Sequence, residues 1–397
     1  MASRYMTGRR ALTRYLAGAA SARTGDEMST PALLVLGLAA TGSVEAASAL
    51  LTGLTISAAA GGPLLGAIVD RSRRPGRWLA VALGGYAAGL GAVLAGTGQA
   101  PTPLVVGVAA LTGLLNPALS GGWSAQLPHL VPAAAFAKAN SLDAATFGAA
   151  SLAGPALAGV VAAGMGAPAA LAVAIGLVAL AVPVAWSLPG RPPAPAGQRY
   201  GPLAGLTATV ANRPLLRSTA ASVFSSAGVG MLTVACPLLG ERLLGEAGHG
   251  GLLLAAFAAT ALLANAVLAR RREPARPDTI VLTSTLLLGT GTLGAAFAPS
   301  AALVVVAVMV AGLGDGSQLT ALFAVRHREA PERLRARIFT TGASLKITGL
   351  AAGTALAGPL AAQSPRTCLL AGAGVQLAAA ATYLAIRIRT PSPARAA

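Results

Sequence analysis

Arg23, Asp26 and Glu27 stand three and four residues apart in a stretch that is otherwise apolar. On a helix this spacing puts them on one face, so Arg23 can pair with either carboxylate and leave the other to a proton or a cation. An ionisable group in hydrocarbon is costly and marks a functional site by default. Two readings stay open: a carboxylate balanced between burial and a neighbouring cation, suited to coupling proton movement to a change of shape, or a neutralised cluster that fixes helix packing. Glu45, Asp143, Asp315 and Lys346 are further charges in apolar stretches. Glu45 is expected near an interface with water, and Asp143, just after Asn140, at a cytoplasmic mouth. Asp315 lies within Gly312-Leu-Gly-Asp-Gly316. Lys346 can pair with Asp315 across helices or extend its long stem to the interface.

Other chemistries are poorly supplied. Cys236 and Cys368 are far apart and the histidines are only His129, His249 and His327, so neither a disulfide framework nor a metal site is indicated. Gly289-Thr-Gly-Thr-Leu-Gly294 fits a dinucleotide fingerprint, but it sits inside an apolar run and not at a strand-to-helix turn. No Walker loop or nucleophile set accompanies the paired acids, so no enzyme and no cofactor are expected.

The elements that must position these groups are membrane helices. The chain has 397 residues, 55% hydrophobic and 10% charged, with a mean hydropathy of +0.69, whereas soluble domains carry about 25% charged residues. The net charge of +17 does not point to nucleic acid, because the basic residues are spread among apolar segments and only 4% of residues are aromatic. Spans of about 20 residues are predicted near 11–41, 44–69, 78–98, 102–126, 138–163, 168–188, 214–240, 249–269, 279–298, 301–325, 337–361 and 367–388. The resulting all-α membrane protein divides into a first half (1–188), an extended Pro- and Arg-bearing linker (189–213), a second half (214–388) and a tail (389–397).

The halves echo one another at a constant offset of 199 residues. Arg71, Pro75 and Arg77 recur as Arg270, Pro274 and Arg276, Pro132 as Pro331, and Gly154-Pro155-Ala-Leu-Ala-Gly159 as Gly353-Thr354-Ala-Leu-Ala-Gly358. Such an offset indicates a tandem duplication. Asn116 is then the counterpart of Asp315, so both halves put a polar group at one depth, while Arg23, Asp26 and Glu27 face the uncharged Ser222, Ser225 and Ser226. The Lys and Arg residues gather at the N-terminus, after the even-numbered spans and in the tail, leaving only Arg242 and Arg366 on the opposite side. By the positive-inside rule both termini are cytoplasmic.

The segment after the second span, Gly66-Ala-Ile-Val-Asp70-Arg71-Ser-Arg-Arg74-Pro-Gly-Arg77, carries one carboxylate among four arginines. With the six-plus-six repeat, it resembles the signature loop of the major facilitator superfamily: Gly66, Asp70, Arg71 and Arg74 fit, while Ile68, Val69 and Arg73 depart from the usual pattern. Gly154-Pro155-x-x-x-Gly159 is similar to that family's antiporter motif. Leu130-Val-Pro132, Ala139-Asn-Ser-Leu142 and Pro331-x-x-x-Arg335-x-Arg337-Ile-Phe339 resemble the macrolide-efflux-like branch. The resemblance implies a proton-coupled exporter of small hydrophobic compounds, monomeric in the inner (plasma) membrane, with an importer or facilitator, or a non-transporting receptor of the same fold, as alternatives. Physically, Asp70 can pair with Arg71 or with the positive N-terminus of a helix in the other half, as a gate, or merely offset a basic loop. Gly154 and Gly159 can admit neighbouring helices and Pro155 can bend its span, or the motif is simple packing.

Overall fold

Prolines start helices at one end of the bundle, and at the other glycines or serines turn the chain ahead of helices that also open with Pro103, Pro168 and Pro365. In the computed structural model Pro75 and Pro277 open helices, and Pro132 and Pro331 precede short 3₁₀ turns that run into longer helices. A proline fits a helix start because it has no N–H to leave unpaired there. At the opposite end Gly42, Gly98 and Gly166 adopt left-handed φ of 66, 81 and 87°, the conformation that lets the chain reverse after one helix and enter the next. In the second half Ser300 and Ser364 do this work by capping the following helix, accepting from Leu303 N and Thr367 N at 3.4 and 3.0 Å. The first end carries Arg71, Arg74, Arg77, Arg271 and Arg335 at its turns and is called the basic end below.

The structure describes residues 2–190, 200–201, 203–244, 250–271 and 276–386, without the side chains of 2–9, 44, 45, 241 and 243–250. The Glu45 side chain, the Pro-rich part of the expected linker at 191–199, Pro274 of the repeat and the tail at 389–397 lie outside it. The described residues form α1 (Ala2–Thr41), α2 (Val44–Ile56), α3 (Ala58–Arg71), α4 (Pro75–Gly96), α5 (Thr102–Gly113), α6 (Gly121–Ser124), α7 (Phe136–Met165) and α8 (Ala167–Trp186). They continue with α9 (Ala204–Ala211), α10 (Arg213–Leu244), α11 (Gly250–Arg270), α12 (Pro277–Phe297), α13 (Ala301–Glu329), α14 (Arg335–Gln363) and α15 (Pro365–Ala385). Eleven spans are long and apolar enough to cross a membrane, α2 with α3 and α5 with α6 each making one. The 40-residue α1, with Arg23, Asp26 and Glu27, is the twelfth helix of the bundle. The linker is not extended throughout, as its sequence suggests: Ala204–Ala211 is the helix α9, packed against α14.

Buried apolar side chains fall into one large cluster within the first half, including Tyr15, Leu83, Tyr86 and Trp123, and a second within α10–α15, including Met231, Leu288 and Cys368. Between the halves, α3 packs on α14, and α7 packs on α11 and α13. Small residues make the first contact possible. A Cβ on Gly62 would meet Thr340 and Ser344, and one on Gly66 would meet Arg337 and Thr340. Backbones therefore touch directly, as expected where helices associate through close van der Waals contact and not through exclusion of water.

Candidate functional site

Arg23 does not pair with Asp26 or Glu27, as their spacing on α1 suggests; its ion pair is with Asp143 of α7, Nη1 to Oδ1 3.0 Å. The guanidinium also donates to the Asp143 carbonyl (2.9 Å), Ser124 Oγ (3.0 Å) and Thr146 Oγ1, and it lies over the Phe147 ring. Tyr15 OH (2.9 Å) and Ser124 Oγ (2.6 Å) complete the Asp143 carboxylate. The physical reason is satisfaction: a buried guanidinium needs acceptors for several donors at once, and the α6–α7 seam supplies them where one carboxylate on its own helix cannot. Asp143 is enclosed in this conformation. Its side chain is 0% exposed.

Asp26 is left to neutral donors. Tyr86 OH (2.6 Å) and Asn116 Nδ2 (2.7 Å) both donate to its Oδ1. Glu27 accepts from Ser151 Oγ at 3.2 Å, and both acids are partly exposed. Asp315 and Lys346, expected as a pair, make no ion pair with one another among the described residues. Asp315 is half-buried on α13, and Asn116, its repeat counterpart, is spent on Asp26.

The repeat explains more of this cluster than the sequence reading drew from it. The residues 199 positions after Asp26 and Tyr86 are Ser225 and Thr285. Both receive Gln318 Nε2, at 2.9 and 2.7 Å, so the two halves hold matching hydrogen-bonded clusters and only the first is charged. Tyr86, Tyr15, Ser151, Gln318 and Thr285 were not legible as site residues, since each meets its partner across helices and not through sequence spacing. Asp278 was missed although its position offers a signal, an acid directly after a proline at a helix start. It pairs with Arg217 (2.5 Å) and Arg328 (2.8 Å), tying α12 to α10 and α13.

At the basic end Asp70 takes the second of its two expected partners. Its Oδ1 accepts the N–H of Ala336 at 2.9 Å and its Oδ2 that of Arg337 at 3.0 Å, in the first turn of α14. A carboxylate there answers both the unpaired donors and the dipole of a helix that begins in the other half. Arg71 is engaged elsewhere, with the Tyr200 carbonyl at 2.9 Å, and Arg77 lies over the Trp186 ring. Arg74 is exposed and its N–H donates to Ser72 Oγ at 3.0 Å as the chain turns into Pro75. Hydrogen bonds from Ser344 to Ala58 (2.5 Å), Thr340 to Gly62 (2.6 Å) and Asn140 to Thr320 (2.9 Å) also join the halves on this side.

The antiporter-like motif divides. Gly154 is buried, and a Cβ there would meet Glu27 and Met28, so α7 passes directly under the acidic pair. Gly159 admits no neighbour, contrary to expectation, because it faces outward with nothing within 4 Å of a Cβ. Helix α7 runs continuously through Pro155, which is exposed. Gly289–Gly294 lies within the helix α12, away from any strand-to-helix turn.

No curated protein matches this chain in sequence. Among solved structures, it is similar to the human organic anion transporter TETRAN, with a TM-score of 0.75 and 17% identity over 95% of this chain and 99% of that one. A bacterial homologue of the iron transporter ferroportin, in an outward-facing state, gives 0.73 and 17% over 95% and 99%. The E. coli fucose:proton symporter FucP gives 0.72 and 12% over 96% and 100%. At these identities the likeness is one of fold. The sequence itself matches the profile of the Major Facilitator Superfamily from residue 15 to 345, a stretch that holds the Arg23–Asp143 network, Asp26 and the Asp70 contact, and the chain belongs to that superfamily.

Proposed function

We propose that this transporter exports small hydrophobic compounds in exchange for protons, by rocking of its two halves about the cleft between them. The observation that carries the reading is Asp26, a partly exposed carboxylate inside the bundle whose hydrogen bonds come from Tyr86 and Asn116 and not from a cation. Both donors use Oδ1, so a proton can occupy Oδ2 and leave without breaking an ion pair. Glu27, which accepts from Ser151, is a second acid beside it that can take a proton. Protonation then changes the relative energy of two arrangements, and this differential is what coupling requires.

The basic end is assigned to the cytoplasm by its arginines, in the plasma membrane. The conformation closed at that end by Asp70, Gly62 and Gly66 is then the outward-facing one. Gly154, packed beneath Glu27, ties the antiporter-like motif to the coupling acid, which favours exchange over symport. The macrolide-efflux-like resemblance of Pro331 to Phe339 gives the substrate class, and the work is done by a monomer, since each half supplies one wall of the cleft. A proton-driven metabolite importer is the alternative that one similar structure's name suggests, the fucose:proton symporter; the 4% aromatic content offers little platform for a sugar.

The test is proton release from energised inside-out vesicles, read with a pH-sensitive dye as cationic dyes and macrolide-like compounds are added. Release from the parent and none from Asp26→Asn is expected. Equal release from both removes Asp26 from the coupling, and a compound that moves protons in the opposite sense makes the protein an importer.

A further inference from the structure

A cavity of about 500 Å³ lies at the basic end, where α7 of the first half meets α11, α12 and α13. Phe136, Leu268 and Ile280 give it apolar walls, and Arg271, Arg328 and His327 reach it from the second half. His327 is 9% exposed and its ring meets Phe136 edge-on and Phe339 at a tilt, with centroids at 4.9 and 4.4 Å. Neither ring nitrogen has a hydrogen-bond partner in the protein, and neither do Nε and Nη2 of the buried Arg326 beside it. Arg335, Arg326 and His129 all act electrostatically on His327. The neighbouring acids are already taken: Asp278 by Arg217 and Arg328, and Glu329 by Arg328 and Asn212. Positive charge is in excess beside the cavity, and His327, with its unpaired ring nitrogens, stands in its wall.

A second cavity, about 430 Å³, shares Leu268, Arg271 and Ile280 with the first and continues along α12 past Thr283 to Leu287. The eight residues of helix from Ile280 to Leu287 make a groove about 10 Å long. Thr283 and Ser284 turn their hydroxyls back onto their own helix, Thr283 to the Thr279 carbonyl at 3.0 Å and Ser284 to that of Ile280, so Leu268, Ile280 and Leu287 give the groove an apolar side beside Thr279 and Ser317. It ends at Leu287, which is 40% exposed on the outer face of the bundle.

We propose that the two cavities together hold one acidic phospholipid from the leaflet at the basic end, with its phosphate among Arg271, Arg328 and His327 and an acyl chain along α12. Basic pockets between membrane helices suit acidic headgroups. A free phosphate shares the headgroup chemistry; the apolar groove that opens from the basic chamber selects the lipid.

Native mass spectrometry of the full-length protein in detergent, titrated with phosphatidylglycerol, phosphatidylethanolamine or inorganic phosphate, tests this. Phosphatidylglycerol is expected to bind at least tenfold more tightly than phosphatidylethanolamine. Arg271→Gln should weaken it about fivefold, from about 1 kcal/mol per basic residue. Arg10→Gln, at the same end but outside the cavity, should leave it unchanged. Thr283→Trp, which fills the groove, should weaken phosphatidylglycerol binding as well. Equal binding of the two lipids, or equal losses in Arg271→Gln and Arg10→Gln, overturns the site. Displacement of phosphatidylglycerol by millimolar phosphate, with Thr283→Trp indistinguishable from the parent, makes it a free-anion site and overturns the lipid assignment.

Discussion

Arg23 and Asp143, 120 residues apart in sequence, form a buried ion pair across α1 and α7 with side chains 3% and 0% exposed. The pair takes the only cation of the α1 cluster away from Asp26 and Glu27, whose hydrogen bonds come from Tyr86, Asn116 and Ser151. Removing one member of a buried pair strands the other, at a cost of about 3–5 kcal/mol. Asp143→Ala should therefore lower the thermal unfolding temperature in detergent sharply, and Arg23→Met with Asp143→Leu should recover most of the loss. A single variant as stable as the parent contradicts the network.

Asp26→Asn keeps an oxygen for Tyr86 and Asn116. Its stability should change by no more than about 1 kcal/mol, within the net range of a neutral hydrogen bond, while proton release on substrate addition disappears. Tyr86→Phe removes one of the two donors and should slow transport with coupling retained. Stability assays run beside the vesicle assay separate the two effects.

Asp70 and Gly66 hold the basic end shut by different means, one by two charge-assisted hydrogen bonds and the other by the absence of a side chain. Each hydrogen bond to a charged group contributes about 1.5–3 kcal/mol. With spin labels at the exposed positions Arg73 and Glu332, Asp70→Ala and Gly66→Val should both shift the distance distribution towards longer separations, by at least about tenfold in population ratio. Turnover should slow in Asp70→Ala while substrate binding remains. An unchanged distribution in both variants removes the latch.

The two glycines of the antiporter-like motif should behave differently. Gly154→Val drives α7 away from Glu27 and Met28 and should impair transport, whereas Gly159→Ala meets nothing and should stabilise α7 by up to about 1 kcal/mol. Comparable transport by the two variants shows that the close approach at Gly154 is not used.

Hydropathy was enough to read about twelve helices from the chain itself, and the Gly66–Arg77 loop motif with the 199-residue offset pointed to the superfamily. These features depend on local composition, which a bilayer enforces segment by segment. The loop motif also carried its chemistry locally: Asp70 follows an apolar run, and a helix start in the other half was one of its two expected partners. Partner choice inside the bundle was different. The spacing of Arg23, Asp26 and Glu27 fixes a shared helix face, but the guanidinium goes where the most acceptors converge, and those come from α6 and α7. Lys346 and Asp315 were likewise within reason as a pair, yet they form no ion pair among the described residues. A helical pattern states which face a residue is on. Which helix that face meets, and at what depth, is decided by packing of glycines such as Gly62, Gly66 and Gly154, whose effect depends on a neighbour that the linear chain does not name.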